Sequence, residues 1–479
     1  MQIDESKIRA VVEEVVKSIS LGKDDGVLSG TSSVMHGMAG VFPDINEAVR
    51  AAREAHRKLM SMTLETRYAI IKNMREAVFN HLEEISLMAV EETGLGRAED
   101  KIAKNRLAAS ATPGVEDLEP ISYTGDHGLT LVERAPYGVI GAIAPSTNPT
   151  ETIICNAIGM IAGGNSVVFN PHPSAGKVSS FTIAFLNRAI IEAGGPPNLL
   201  SSVARPTIET AQQMMHHPEI AMLVVTGGPG VVKAALKTDK KVIAAGPGNP
   251  PCVVDETADL VKAGRDIVNG AGFDNNIVCI CEKEILVVSS VADQLKGELK
   301  RNGAFELKRE QTEKITPQVI TDPGREGHEG MANKDYVGKD PWYIAEKTLG
   351  LSIPRDTRIL LCEVDRYHPL VWTEQLMPVI PLVRMSNVDE AIDFAKFCEH
   401  GFRHTASMHS TNILKLSRMA KVMDCSLFVK NGSNYNGLGF GGSGFTSFTI
   451  ASPTGEGFTR ARTFTRERRC ALIDSFRIV

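Results

Sequence analysis

Apolar residues recur at helical spacing over the first twenty positions of the chain. Within residues 1–20 they follow the i, i+3, i+4, i+7 stripe of an amphipathic helix, at Ile8, Val11, Val12, Val15, Val16 and Ile19. Residues 21–42 are rich in glycine and serine for most of their length and predict a flexible linker. The pattern leaves two interpretations open: the helix folds back on the main domain, or it docks on another protein surface.

Beyond this linker the pattern predicts an α/β protein. Helical periodicity covers about residues 44–110, and after Pro113 apolar strands alternate with helices. This alternation predicts parallel sheets with helices on both faces. We place a first domain at 43–240, a second at 241–436, and a final segment at 437–479 that ends in a strand-like run.

Composition and charge narrow the functional classes. A chain of 479 residues is too long for one core. Its net charge of −5 gives no electrostatic case for nucleic acid or for an anionic membrane as partner. No apolar run approaches the roughly 20 residues of a membrane span, and no secretory signal is predicted. The 8 scattered cysteines are typical of reduced thiols, which predicts a cytoplasmic protein.

Two glycine-rich segments are candidates for a nucleotide loop. Residues 437–442 (GLGFGG) match G-x-G-x-x-G as a string, but a strand-like run follows where a helix is required, so we reject the match. A buried strand at 222–226 ends instead at Thr226, and Gly227 and Gly228 turn the chain into a predicted helix near Val231. A helix that opens there would present free N–H groups to a phosphate.

The segment 271–283 (AGFDNNIVCICEK) carries two cysteines, Cys279 and Cys281, and has three possible interpretations. A metal site needs two further ligands, and the chain has no second closely spaced cysteine pair. A buried strand and a catalytic nucleophile remain. Asn148 follows a predicted strand and could stabilise an oxyanion, and Glu374 precedes an apolar turn. A nucleophile, an amide donor, a phosphate turn and a carboxylate together predict a covalent acyl-transfer or redox site.

The order of several long motifs resembles the aldehyde dehydrogenase superfamily over about residues 43–479. The motifs are TPGVEDL, PSTNPTETII, TGGPGVV, AGPGNPPCVVDETADL, FDNNIVC, TEQLMP and SPTGEGFTRARTF. Within that superfamily they are most similar to the CoA-acylating aldehyde dehydrogenases of bacterial microcompartments. The resemblance implies a Rossmann-type cofactor domain, an α/β catalytic domain and a small β-extension for oligomerisation, to which residues 119–137 and the tail contribute.

The resemblance also assigns roles to individual residues. It implies that Cys279 is the nucleophile and that Asn148 and the Cys279 backbone N–H form the oxyanion hole. Glu374 would hold the nicotinamide ribose. His404 falls near the active site, and an ordinary core or surface histidine is the alternative. The remaining residues implied for cofactor binding are Pro145, Ser146, His172, Thr226, Gly227 and Gly228.

Departures from the superfamily pattern bear on the reaction. Ala245 stands where hydrolytic members carry the glutamate that activates water, so CoA is the expected acyl acceptor. Asn170 and His172 replace a lysine near the adenosine ribose, which leaves NADP possible beside NAD. Ser443 replaces an acid near the expected substrate pocket, which leaves the preferred aldehyde open.

The resemblance thus implies oxidation of a short-chain aldehyde to its acyl-CoA, with propionaldehyde as the best guess. Acetaldehyde as substrate, hydrolysis to the free acid, and a noncatalytic protein with the same fold are the alternatives. It further implies a homo-oligomer, either dimer or tetramer, in a microcompartment lumen, docked to a shell protein through residues 1–20.

Overall fold

The structure is a computed structural model that describes residues 38–479, so the predicted docking helix lies outside the described residues. The helices are α1 Ile45–Met60, α2 Leu64–Asn80, α3 Leu82–Thr93, α4 Ala98–Ala111, α5 Pro149–Ala162, α6 Gly176–Glu192, α7 Ile208–His216, α8 Pro229–Ala235, α9 Leu260–Ala271, α10 Ala292–Arg301, α11 Arg309–Val319, α12 Pro341–Leu349, α13 Val388–Cys398, α14 Ile413–Met423 and α15 Asn434–Leu438. The strands are β1 Val41–Phe42, β2 Ile121–Gly125, β3 Gly128–Pro136, β4 Val139–Ala144, β5 Ser166–Pro171, β6 Leu200–Val203, β7 Met222–Thr226, β8 Lys241–Ala245, β9 Pro251–Val254, β10 Glu284–Val288, β11 Ala304–Leu307, β12 Ile320–Asp322, β13 Met331–Ala332, β14 Ile359–Val364, β15 Val379–Met385, β16 Thr405–His409, β17 Leu427–Lys430, β18 Ile450–Ala451, β19 Gly457–Phe458 and β20 Thr465–Ile473.

The first sheet has six parallel strands in the order β1-β6-β5-β4-β7-β8. Alternate residues of its strands enter two separate apolar cores, so helices cover both faces as the strand–helix alternation predicts. α1, α7 and α8 pack on one face, and α5 and α6 pack on the other. β8 pairs with β7, so this sheet extends to Ala245, past the predicted boundary at residue 240.

The direction in which successive strands are added to this sheet reverses after β6, because β7 lies on the other side of β4. Successive strands from β4 run outward through β5 and β6, whereas β7 and β8 lie on the opposite side of β4. The loops after β4 and β7 therefore flank a topological switch point at the carboxyl edge. Open α/β sheets bind ligands in the crevice at such a point.

The second sheet has seven parallel strands in the order β11-β14-β15-β10-β9-β16-β17. Buried apolar side chains of its central strands fill cores on both faces, against α9 and α10 on one side and α13 and α14 on the other. The strands are short and rich in valine, isoleucine and leucine, as expected for parallel strands buried on both faces. The segments that enter β9, β10, β15 and β16 meet at the amino edge of this sheet.

A separate three-stranded antiparallel sheet, in the order β2-β3-β20, joins residues 121–136 to the tail. This sheet, which we call the β-extension, exposes large apolar side chains to solvent, among them Ile121, Tyr123, Leu472 and Ile473. A sheet of this size gains little stability alone. In residues 38–479 no helix is both long and apolar enough to cross a membrane.

Candidate active site

The segment before Cys279 is a left-handed turn and not a strand. Asp274, Asn275 and Asn276 have φ values of 46°, 52° and 66° in succession. Asn and Asp tolerate this conformation better than other residues with a Cβ, which explains why these three positions are Asp, Asn and Asn. β10 begins only at Glu284, so the buried-strand interpretation of residues 271–283 is wrong.

Side chains of the turn hold it to the surrounding backbone. Asn276 Nδ2 donates to the carbonyls of Ala271 at 2.8 Å and Glu282 at 3.0 Å. Asp274 accepts from the Arg97 backbone N–H at 2.7 Å, at the start of α4. The energetic cost of three consecutive left-handed residues is of order 1–3 kcal/mol each, so the turn persists only because these contacts determine it.

The two cysteines behind this turn have different environments. Cys281 is fully buried in the core of the first domain, whereas Cys279 is partly exposed. Enclosure raises the pKa of the Cys279 thiol to about 12; the Glu374 carboxylate adds to the rise, and the ammonium groups of Lys283 and Lys104 oppose it. Cys279 is therefore the accessible thiol, and it is protonated at neutral pH in the free enzyme. Among residues 38–479, no cluster of His, Cys, Asp and Glu could hold a metal ion.

Gly248 brings three of the predicted site residues together. A Cβ atom at this position would lie 2.8 Å from the Cys279 carbonyl oxygen and 3.0 Å from Cγ of His404. Its backbone N–H donates to Glu374 Oε1 at 3.3 Å. Because Gly248, Cys279, Glu374 and His404 precede β9, β10, β15 and β16 respectively, parallel strand packing assembles them at one edge.

His404 is a buried, neutral histidine. Burial, with a smaller contribution from the Lys283 ammonium, lowers the pKa of its imidazole to about 4. Its Nδ1 lies 2.8 Å from the Thr405 hydroxyl, and its Nε2 has no hydrogen-bond partner among the described residues. The imidazole is therefore neutral at pH 7 and a weak base, so it would hold a proton only transiently.

Glu374 is a partly exposed carboxyl group with a raised pKa. Burial raises the pKa of Glu374 to about 7, Glu329 adds to the rise, and Lys283 opposes it. Lys283 is itself fully buried, and its ammonium donates to the carbonyl and side-chain oxygens of Asn276 at 2.7 and 2.6 Å. One buried lysine thus supplies positive charge to Cys279, Glu374 and His404 together.

Asn148 lies on the facing edge, that of the first sheet. It follows β4 and forms the N-cap of α5. Its Oδ1 accepts a hydrogen bond from the Lys104 ammonium at 2.7 Å, and its Nδ2 donates to the Thr147 hydroxyl at 3.3 Å. The same Lys104 ammonium lowers the pKa of the Cys279 thiol, so the amide and the thiol have one buried lysine as a common neighbour.

The residues predicted for cofactor binding follow strands of the first sheet. Pro145 and Ser146 follow β4, and His172 follows β5. Thr226 ends β7, where its hydroxyl lies 2.8 Å from that of Thr449. Gly227 and Gly228 lead into α8, which begins at Pro229, two residues before the predicted start.

This loop fits a dinucleotide phosphate. A Cβ atom at Gly228 or Gly230 would meet no atom within 4 Å, so the backbone is open to close approach by a ligand. Asn170 is engaged elsewhere, since its Oδ1 accepts from the Thr210 hydroxyl at 2.7 Å. The GLGFGG string forms the end of α15 and a loop with no following helix, so its rejection as a nucleotide loop is confirmed.

Sequence reasoning missed three residues that build the site: Gly248, Lys104 and Lys283. Two signals in the chain could have found the lysines. Lys283 follows an apolar run in CICEKEILVV, and Lys101 and Lys104 stand one helical turn apart in a helix that packs on the cysteine turn. No local signal marks Gly248 as the point of contact between distant segments.

Known proteins with similar sequences and structures belong to the family that the motifs indicate. A model of the aldehyde dehydrogenase family matches residues 33–458. Acetaldehyde dehydrogenase (acetylating) EutE of Salmonella typhimurium is 51% identical over 469 residues, covering 98% of this chain and 99% of the relative.

Two solved structures are also similar. A propionaldehyde dehydrogenase of Rhodopseudomonas palustris, solved with bound CoA and an acylated cysteine, is 49% identical with a TM-score of 0.88, covering 91% of this chain and 98% of that one. A propionaldehyde dehydrogenase from the Clostridium phytofermentans fucose utilisation microcompartment is 46% identical with a TM-score of 0.89, covering 92% and 100%. The fold implied by the motifs is confirmed, and the chain belongs to the aldehyde dehydrogenase family.

Proposed function

We propose that this protein oxidises a short-chain aldehyde to its acyl-CoA, reversibly, with NAD⁺ as oxidant. The observation that carries the proposal is the partly exposed Cys279 thiol, which Gly248 brings together with Glu374 and His404 at the amino edge of the second sheet. The similar proteins, named for acetylating and propionaldehyde-oxidising activities, support it. Ala245, a buried residue at the end of β8, offers no carboxylate to activate water.

In the first half of the reaction, Cys279 Sγ forms a bond to the aldehyde carbon and loses its proton. Because the thiol is protonated at rest, a base must accept that proton; His404, which lies with Cys279 around Gly248, is the proposed acceptor and passes the proton on to solvent. Asn148 Nδ2 and the Cys279 backbone N–H stabilise the oxygen as it becomes negative. NAD⁺, when bound, would accept the hydride that leaves the carbon, and Cys279 would then hold an acyl thioester.

In the second half, the thiol of the substrate CoA attacks the acyl carbon after losing its proton, and the Cys279 thiolate leaves. His404 is again the proposed acceptor of that proton, and the same amide and N–H donors stabilise the oxyanion. A thiol has a far larger anionic fraction at neutral pH than water has, so thiol transfer needs a weaker base than hydrolysis does.

The cofactor residues are proposed from their positions. Thr226 and Gly227 would lie along the pyrophosphate, with Gly228 beside them and Pro145, Ser146 and His172 on the neighbouring loops. Glu374 would hold the nicotinamide ribose from the opposite edge. NAD is the proposed cofactor, with NADP as the alternative. Asn170 and His172 stand where hydrolytic members carry a lysine near the adenosine ribose, so no cation there favours a 2′-phosphate.

CoA is expected to be required for turnover. In steady state with propionaldehyde and NAD⁺, NADH formation should nearly stop without CoA after one acylation of each active site, because nothing at position 245 activates water. The assay follows NADH absorbance with and without CoA, and chromatography identifies the product. Rapid NADH formation without CoA, with propionate as product, would overturn the proposal in favour of hydrolysis. Acetaldehyde in the same assay decides between the two substrates by their kcat/KM values.

We further propose that the protein is a homo-oligomer in a microcompartment, attached to a shell protein through residues 1–20. The exposed apolar side chains of the β-extension favour association of copies, and one similar enzyme comes from a microcompartment. Deletion of residues 1–20 is expected to leave the aldehyde activity intact and to abolish co-purification with shell proteins. Loss of the folded enzyme on deletion would show instead that this helix belongs to the core.

A further inference from the structure

Lys104 connects the proposed oxyanion amide with the turn that carries the nucleophile. It lies on α4 with no solvent exposure. Its ammonium donates to Asn148 Oδ1 at 2.7 Å and lies 3.0 Å from a Glu151 oxygen and 2.5 Å from an Asp274 oxygen. The contact with Asn148 is a hydrogen bond, and the two carboxylate contacts are ion pairs.

The contact with Lys104 determines which way the Asn148 amide faces. An asparagine side chain can turn either its oxygen or its NH₂ group to a neighbour that both donates and accepts. An ammonium can only donate, so Oδ1 must face Lys104 and Nδ2 must face away. Nδ2 has a single long contact, to the Thr147 hydroxyl at 3.3 Å, which leaves an N–H for a ligand. The positive charge also polarises the amide and strengthens that N–H as a donor.

The charge on Lys104 is held by two carboxylates. Burial opposes the charge, but Asp274 and Glu151 outweigh it and raise the pKa of Lys104 above its ordinary value. Lys101, one turn earlier, completes a neutral buried group of four with its own bond to Asp274 at 3.1 Å. Burying four charges has a large desolvation cost that apolar residues of similar size would avoid. Buried charges of this kind are therefore weak evidence for a purely stabilising role.

We propose that Lys104 is a positioning residue of the oxyanion hole: its ammonium fixes and polarises the Asn148 amide so that Nδ2 donates to the oxyanion formed at Cys279. The proposal rests on the oxyanion role given to Asn148 under the proposed function. Lys101 provides the matched comparison. It is equally buried and also pairs with Asp274, but it donates to the Thr147 backbone carbonyl at 3.3 Å and not to the amide.

The test measures NADH formed in a single turnover by the full-length enzyme, together with the KM for aldehyde. Lys104→Met is expected to slow acylation by about 10-fold to 10²-fold, somewhat less than loss of the whole donor, with the aldehyde KM little changed. Lys101→Met, which makes the same change in charge, is expected to cost at most about 3-fold, because the amide keeps its ammonium. In an Asn148→Ala background, Lys104→Met should cost nothing further.

Two results would overturn the positioning role: equal losses for Lys104→Met and Lys101→Met, or losses from Lys104→Met and Asn148→Ala that multiply. If Lys104→Met fails to fold, Lys104→Met combined with Glu151→Met removes one charge of each sign and leaves Lys101 paired with Asp274. This variant should show the same slow acylation, and normal acylation would refute the proposal. A fully active Asn148→Ala would instead refute the oxyanion role itself, while a CoA requirement in every variant would leave the proposed reaction standing.

Discussion

Replacement of Cys279 by alanine is expected to remove essentially all aldehyde oxidation, with a loss of at least about 10⁴-fold, as for other catalytic nucleophiles. The reason is that the neighbouring thiol cannot take its place. Cys281 is fully buried in the core, and its Sγ points to the Phe273 carbonyl at 3.7 Å. NADH formation with propionaldehyde and CoA measures the loss.

Cys281→Ala is the matched control for this variant, since it removes a thiol from the same segment. We expect it to retain most of the activity and to lower the free energy of unfolding by about 1–2 kcal/mol, as is common for small core truncations. An inactive Cys281→Ala beside an active Cys279→Ala would show that the nucleophile is assigned to the wrong cysteine.

Replacement of Asn148 by alanine is expected to lower kcat by about 10²–10³-fold, the usual cost of one oxyanion-hole donor. The KM for aldehyde should change little, because the donor acts mainly on the charge that develops after binding. Steady-state kinetics over a range of aldehyde concentrations separates the two constants.

Asn148→Asp sharpens this test because it keeps the size of the side chain and an oxygen for Lys104 but presents no N–H donor. A loss at least as large as that of Asn148→Ala would show that the donated hydrogen bond, and not packing, is what the site needs. Full activity in either variant would contradict the oxyanion role.

Periodicity and motif order predicted much of this molecule. Strand–helix alternation predicted parallel sheets, and the position of Asn148 behind a strand placed its amide at a sheet edge. These features depend on local pattern, which a single sequence carries. The accessible thiol was predicted only through the motif resemblance, since Cys279 and Cys281 are equivalent in local pattern.

What the sequence did not reveal depends on contacts between distant segments. The left-handed turn at Asp274 accepts a hydrogen bond from the backbone of Arg97, 177 residues earlier in the chain. Gly248 lies beside Glu374 across 126 residues, and nothing in its neighbourhood marks that meeting. The domain boundary at residue 240 was placed where a second run of alternating strands and helices begins. β8 nevertheless joins the first sheet, because it pairs with β7.

The central claim is that acyl transfer passes through a thioester on Cys279 that CoA, and not water, discharges. Mass spectrometry of enzyme incubated with propionaldehyde and NAD⁺ without CoA tests it most directly, because fragmentation of the peptide that holds both cysteines locates the acyl group. We predict a stable propionyl group on Cys279, lost within one turnover when CoA is added, with propionyl-CoA appearing in equal amount. An adduct on Cys281, or a Cys279 adduct that disappears at the same rate without CoA, would contradict the account.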